Sequence, residues 1–289
     1  MSLYRNVRRD KTLMAGLVIL VVIVGLTVIS ATDLRLLTSY SPYSLNFSAS
    51  NLPPSAKHIF GTDQEGRDVF TRVLAALPVD ILTPFIIVVA SVLLGGLVGV
   101  VAGYLAGLVD EFLMRITDLF LAFPGILLAL AITEILGQSH VSLRLLYSEV
   151  ALIVVGWPVY ARLARGQVLQ VKNMPYVTLA KVSGLSRTQI LRRHVLPHLL
   201  PLLLVYSTLD MGAVILNYSV LAFFGLGAPP PTPELGRMVY DGLSALPQNW
   251  WSSLFPALII TIIAVSFSLM GDGLRDALDP RMGERYARA

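Results

Sequence analysis

The stretch ILTPFIIVVASVLLGGLVGVVAGYLAGLV, residues 81–109, decides the fold. It carries no charged residue and exceeds the ~20 apolar residues that cross a bilayer, so it should tilt or protrude. Gly95, Gly99, Gly103 and Gly107 recur in it at intervals of four, near one helix face. Small residues so spaced let a second backbone approach closely, which drives helix association in lipid. That predicts a tight seam, within the bundle or between subunits. The plainer account is that glycine is common in membrane helices.

Further apolar runs lie on either side: Leu13–Ala31, Ile116–Gly137, Val150 to about Leu163, Leu199–Leu226 and Trp251–Met270. The Val150 run is short and interrupted by Pro158, as a re-entrant or buried piece would be. Together they predict an all-α polytopic membrane protein with six transmembrane helices. Composition agrees. The 289 residues are 55% hydrophobic and 14% charged, and the mean hydropathy is +0.71. A disordered chain is excluded, and so, with no cysteine, are a disulfide scaffold and a thiol enzyme. The first run reads as an uncleaved anchor rather than a signal peptide, being long and lacking a clear A-x-A site.

Charge placement tests this topology. Of the 22 Lys and Arg residues, 16 fall on one side. They comprise Arg5, Arg8, Arg9 and Lys11, then Arg115, seven between the fourth and fifth runs, and Arg275, Arg281, Arg285 and Arg288. Only Arg35, Lys57, Arg67, Arg72, Arg144 and Arg237 fall on the other. The asymmetry predicts both termini and the long middle loop in the cytoplasm. It also accounts for the net charge of +4 without nucleic acid as a partner.

Polar residues inside a span are informative because lipid exposure costs about 2.5–3.5 kcal/mol. In the fifth run Tyr206, Asp210 and Asn217 share a helix face. Either they wall a translocation path or they make a polar contact between helices. Asp118 and Glu134, near the ends of the third run, read as structural. Trp250 and Trp251 read as interfacial anchors.

Two loops have structure of their own. Thr62 and Glu65 fit a capping box, and Asp63/Arg67 and Asp68/Arg72 fit i,i+4 pairs, predicting a short charged helix before the second span. Between the fourth and fifth runs, Asn173 and Pro175 mark a helix start. A helix over Met174–Val182, a break at Ser183-Gly184 and a second capping box at Ser186 and Gln189 follow. The second helix should close at Pro197. Such a helix–glycine–helix connector suggests a docking surface for another protein. His194 and His198, spaced i,i+4, lack the rest of a zinc motif. No G-x4-G-K-[ST] phosphate loop occurs, so the chain is not expected to be an ATPase.

The connector resembles the coupling loop of ABC-importer permeases, E-A-A-x3-G-x9-I-x-L-P. Registered on Gly184, residues Ala180, Gly184, Leu196 and Pro197 match, while Thr178, Leu179 and His194 depart. FGTDQEGRDV at 60–69 resembles a segment of peptide-type permeases. VDEFLMR at 109–115 followed by Ala122-Phe-Pro, FGLG at 224–227, PPTP at 230–233 and GDGLRDALDPR at 271–281 resemble others. The likeness covers about residues 10–283. It points to the second permease subunit of dipeptide, oligopeptide and nickel importers, with type I ABC-importer permease architecture.

The resemblance implies a set of partners: a homologous permease, one or two ABC ATPase subunits and an extracytoplasmic solute-binding protein. ATP and Mg would sit on the ATPases, with no cofactor, metal or catalytic residue on this chain. It implies a multi-pass protein of the inner or plasma membrane. Residues 1–80 would carry the tail, first helix and outer loop, and 81–289 a five-helix permease core. Tyr176, Thr178, Ala180, Lys181, Gly184, Leu185, Leu196 and Pro197 would belong to the coupling loop, about 173–197. Gly184 would let its two helices turn. Peptide is the default substrate, oligosaccharide or nickel chelate the alternatives. An ion-coupled secondary transporter built on Asp210, or a plain membrane anchor, competes from outside the family.

Overall fold

The computed structural model describes residues 11–138 and 140–278. Arg5, Arg8, Arg9, Arg281, Arg285 and Arg288 of the charge count lie outside them. The described residues run through α1 (Lys11–Asp33), α2 (Val69–Leu105), α3 (Gly107–Leu121), α4 (Gly125–Gly137) and α5 (Arg144–Lys172). Then come α6 (Pro175–Val182), α7 (Arg187–Ile190), α8 (Leu196–Phe223), α9 (Leu235–Leu243) and α10 (Trp251–Leu278). Among the described residues five helices are long and apolar enough to cross a membrane, or six if the bent pair α3–α4 counts as one span.

The boundaries differ from expectation for local reasons. α2 begins twelve residues early, because Asp68 caps it by accepting the Thr71 N–H at 2.7 Å. Its 37 residues extend about 55 Å, well beyond the ~30 Å hydrocarbon core. The boundary expected between residues 80 and 81 falls inside this unbroken helix. α2 stops at Leu105 because Ala106 and Gly107 both take positive φ, 59° and 61°. The third run is not one straight helix: α3 and α4 meet at 85° across residues 122–124. Pro124 removes a backbone donor there, itself takes an extended conformation at ψ 113°, and disfavours the helical region for the residue before it. The fourth run, read as short, is 29 residues long and carries Pro158 inside it.

Gly95, Gly99 and Gly103 do form a seam, and it is internal. A Cβ at Gly95 would overlap the Trp157 carbonyl, and one at Gly99 the Ala161 carbonyl. At Gly103 it would lie 2.9 Å from the Val168 Cβ. Here α2 lies directly on α5. Gly107 is not part of the seam; it opens α3 and meets nothing within 4 Å. A separate apolar core joins α1, α2, α9 and α10 around Val73, Leu77, Ile215, Leu235 and Ile263.

No helix forms over 62–67. The Thr62 hydroxyl donates to the Ala49 carbonyl and accepts the Leu52 N–H at 2.8 Å. Asp63 accepts from Arg67 at 2.7 Å, but within a turn. Asp68 pairs with His58 at 2.8 Å instead of with Arg72. Trp251 is no interfacial anchor: it is buried, and its indole N–H donates to the Thr62 carbonyl at 3.0 Å. The loop between α1 and α2 is thereby pinned to the start of α10.

Candidate functional site

The connector after α5 starts with Pro175 in the first turn of α6, where its missing N–H costs nothing. α6 is eight residues long, too short to hold itself together in water. Packing holds it: Val177 is buried against Val168, Val171, Ile190 and Val195. Its other face is bare. Leu179 and Val182 are 67% and 82% exposed, and Tyr176 is 40% exposed. Lys181 and Thr178 are exposed too.

Gly184 follows at φ +82°, a conformation costly for any residue with a Cβ. Open space surrounds it. Ser186 and Gln189 make the capping box expected of them. The second helix does not close at Pro197, however. It widens into a π-helix at Leu191–Val195 and continues as α8. The wider turn sits where the Pro197 ring would crowd the Arg193 carbonyl. Leu185 packs inward on the Val177 cluster and Leu196 on Tyr160 and Leu199, so neither belongs to the displayed face.

This connector is tied to the long helices. The Lys172 ammonium donates to the Gly103 carbonyl at 2.7 Å, at the C-terminal end of α2 where cations are favoured. Tyr104 donates to the Arg187 carbonyl at 3.3 Å. Arg162 and Arg165, counted in the connector from sequence, lie on α5. Arg165 holds Asp110 with two bonds, 2.5 and 2.7 Å, and Arg162 holds Asp118 at 2.7 Å. They fasten α3 to α5.

The second group lies at the midpoint of α8. The Tyr160 hydroxyl donates to the Asp210 carboxylate at 2.7 Å, and Tyr206 stands edge-on to Tyr160 at 5.3 Å. Tyr206 and Asp210 are therefore brought together, with Tyr160 as a third member the sequence reading missed. Nothing in an apolar run marks which tyrosine will face an aspartate two helices away. Asn217 is exposed and takes no part in this cluster. A further buried group also went unread. Tyr218 donates to Glu234, Glu234 accepts the Ala228 N–H at 3.1 Å, and Asp80 accepts the Leu235 N–H at 3.0 Å. Burial pushes the Glu234 carboxyl above the usual carboxylate range. His198 stacks on Tyr176, and its Nδ1–H donates to the His194 carbonyl at 2.8 Å. Among the described residues no three His, Cys, Asp or Glu side chains group as a metal site.

The sequence model of the family described as "Binding-protein-dependent transport system inner membrane component" matches residues 95–284. The probable D,D-dipeptide transport system permease protein DdpC of Escherichia coli (strain K12) is 40% identical over 251 residues, 87% of this chain and 83% of that protein. The dipeptide transport system permease protein DppC of Alkalihalophilus pseudofirmus is 36% identical, covering 96% of this chain and 89% of its own. The oligopeptide permease protein OppC of Bacillus subtilis is 34% identical over 95% and 87%. Among solved structures, a chain of the inward-facing MetNI methionine ABC transporter superposes with TM-score 0.56 at 19% identity, over 73% of this chain and 96% of its own. An amino acid ABC transporter chain does so with TM-score 0.54 at 13% identity, over 70% and 92%. These two show the fold alone. The chain belongs to the family of binding-protein-dependent transport system inner membrane components, as a multi-pass membrane permease.

Proposed function

We propose that this chain is one of two related permease subunits in an ATP-driven importer of peptides, with α6 the element that docks on an ATPase subunit. The bare apolar face of α6 carries the reading. Leu179 and Val182 are displayed, beside a Tyr176 partly covered by His194 and His198, on a helix held by one buried residue, Val177. Exposed apolar side chains so grouped mark a protein contact. Peptide as substrate is supported by the names of relatives at 34–40% identity.

In this account ATP and Mg bind the ATPases, and this chain binds neither. A solute-binding protein delivers peptide on the side opposite α6. Both termini and α6 lie in the cytoplasm, as the charge asymmetry favours. Nucleotide favours one of two conformations. The motion of α6 reaches α2 through Lys172–Gly103 and Tyr104–Arg187. Tyr206, Asp210 and Asn217 line part of the translocation path.

Gly184→Trp tests the coupling. The variant complex, reconstituted in vesicles, should hydrolyse ATP while peptide uptake falls at least tenfold. Uptake at the wild-type rate per ATP would sink the docking assignment.

A further inference from the structure

We infer that a cavity at the opposite end of α5 from α6 binds the terminal carboxylate of the peptide. This rests on the peptide reading above. The cavity measures about 710 Å³ and lies among the start of α2, the end of α8 and α9. Four arginines border it. Three have carboxylate partners: Arg67 with Asp63 at 2.7 Å, Arg72 with Asp63 at 3.8 Å and Arg237 with Asp241 at 2.8 Å. Arg144 has no carboxylate partner among the described residues. Its Nη1 donates to the Gly225 carbonyl at 3.2 Å, and its Nε is buried without an acceptor.

Arg237 stands on another side of the same glycine. Its Nη1 lies 2.8 Å from where a Gly225 Cβ would be. Two guanidinium groups thus meet at Gly225, on the border of an open cavity. A guanidinium does not deprotonate, and a half-buried charge without a counter-ion is costly. Its planar fork matches a carboxylate. A short peptide with a free C-terminus supplies that group. The half-buried carboxylates of Glu65 and Asp241 also border the cavity, and both are already paired, with Arg67 at 2.6 Å and Arg237 at 2.8 Å, which leaves Arg144 as the guanidinium in need of an anion.

The test uses the complete complex in vesicles, with its binding protein and Mg-ATP, and compares uptake of dialanine and dialanine amide. Arg144→Gln should lower dialanine uptake about tenfold, the weight of a charge-assisted hydrogen bond, and leave the amide unchanged. Arg237→Gln should act in the same direction and carries the test should Arg144→Gln not assemble. An acid-to-amide ratio unchanged in both variants overturns the site. Equal loss of both substrates, with ATP hydrolysis intact, assigns the carboxylate to the binding protein and also overturns it. Dialanine and its amide both excluded by the wild-type complex would instead overturn the peptide reading itself.

Discussion

Asp210 is a carboxylate in the middle of an apolar helix, and one hydroxyl answers it. Removing that hydroxyl in Tyr160→Phe leaves a half-buried carboxylate oxygen short of its donor. We expect a loss of about 1–3 kcal/mol in stability, read as a lowered unfolding temperature in detergent. An unchanged temperature would mean that water already serves Asp210. The helical spacing of Tyr206 and Asp210 was legible, because their positions in one helix fix their shared face. Their contact with Tyr160 was not, since it depends on how α5 packs against α8. The seam glycines were legible for the same reason as far as Gly103. Gly107 failed because a helix-face argument assumes the helix continues, and Ala106 ends it at φ 59°. Gly99→Val should therefore be poorly tolerated: overpacking against the Ala161 carbonyl costs about 1–3 kcal/mol, and expression of folded protein reads it. Gly107→Val meets no neighbour, and only its φ of +61° opposes it.

Among the elements, α6 and its flanks divide into residues that hold and residues that display. Val177→Asp should loosen α6 and lower the yield of folded chain, because it buries an unpaired charge in an apolar cluster. Leu179→Asp should leave the chain folded and reduce recovery of ATPase subunits on purification. The same substitution two residues apart thus separates folding from docking, and identical outcomes would contradict the division. Pro175 in the first turn made α6 legible and the capping box made the Ser186–Gln189 turn legible, since both signals act within a few residues. The Thr62–Glu65 box was read wrongly for an instructive reason. Thr62 is taken by Ala49 and Leu52, residues of a loop whose course no local rule predicts. Likewise Pro197 read as a stop, yet a π turn absorbs it. Pro124 does break its run, and the angle of 85° comes from packing on both sides of it.

At the scale of the whole molecule, the charged loop between α1 and α2, α9 and the starts of α2 and α10 form one cap. The group Asp80, Tyr218 and Glu234 sits beneath it, joining α2, α8 and α9. Glu234 binds its proton more tightly in the folded chain than in the unfolded one. Its contribution is therefore full below the ordinary glutamate pKa of about 4.3 and is lost as pH rises through the raised value. Wild type should lose unfolding temperature relative to Glu234→Gln as pH rises from 5 to 8; parallel curves would contradict this. Hydropathy made the bundle legible because the bilayer imposes a minimum apolar length on every span. The cap was illegible, being held by contacts between residues as distant as Thr62 and Trp251.

The central claim is that α6 carries the ATPase contact. The chain has no cysteine, so Leu179→Cys supplies a single labelling site. The most direct measurement is the rate at which a membrane-impermeant maleimide labels it in inverted vesicles, with and without the ATPase subunits. Strong protection in the assembled complex, absent in the stripped permease, is the predicted result. Equal labelling rates in the two preparations would contradict the account.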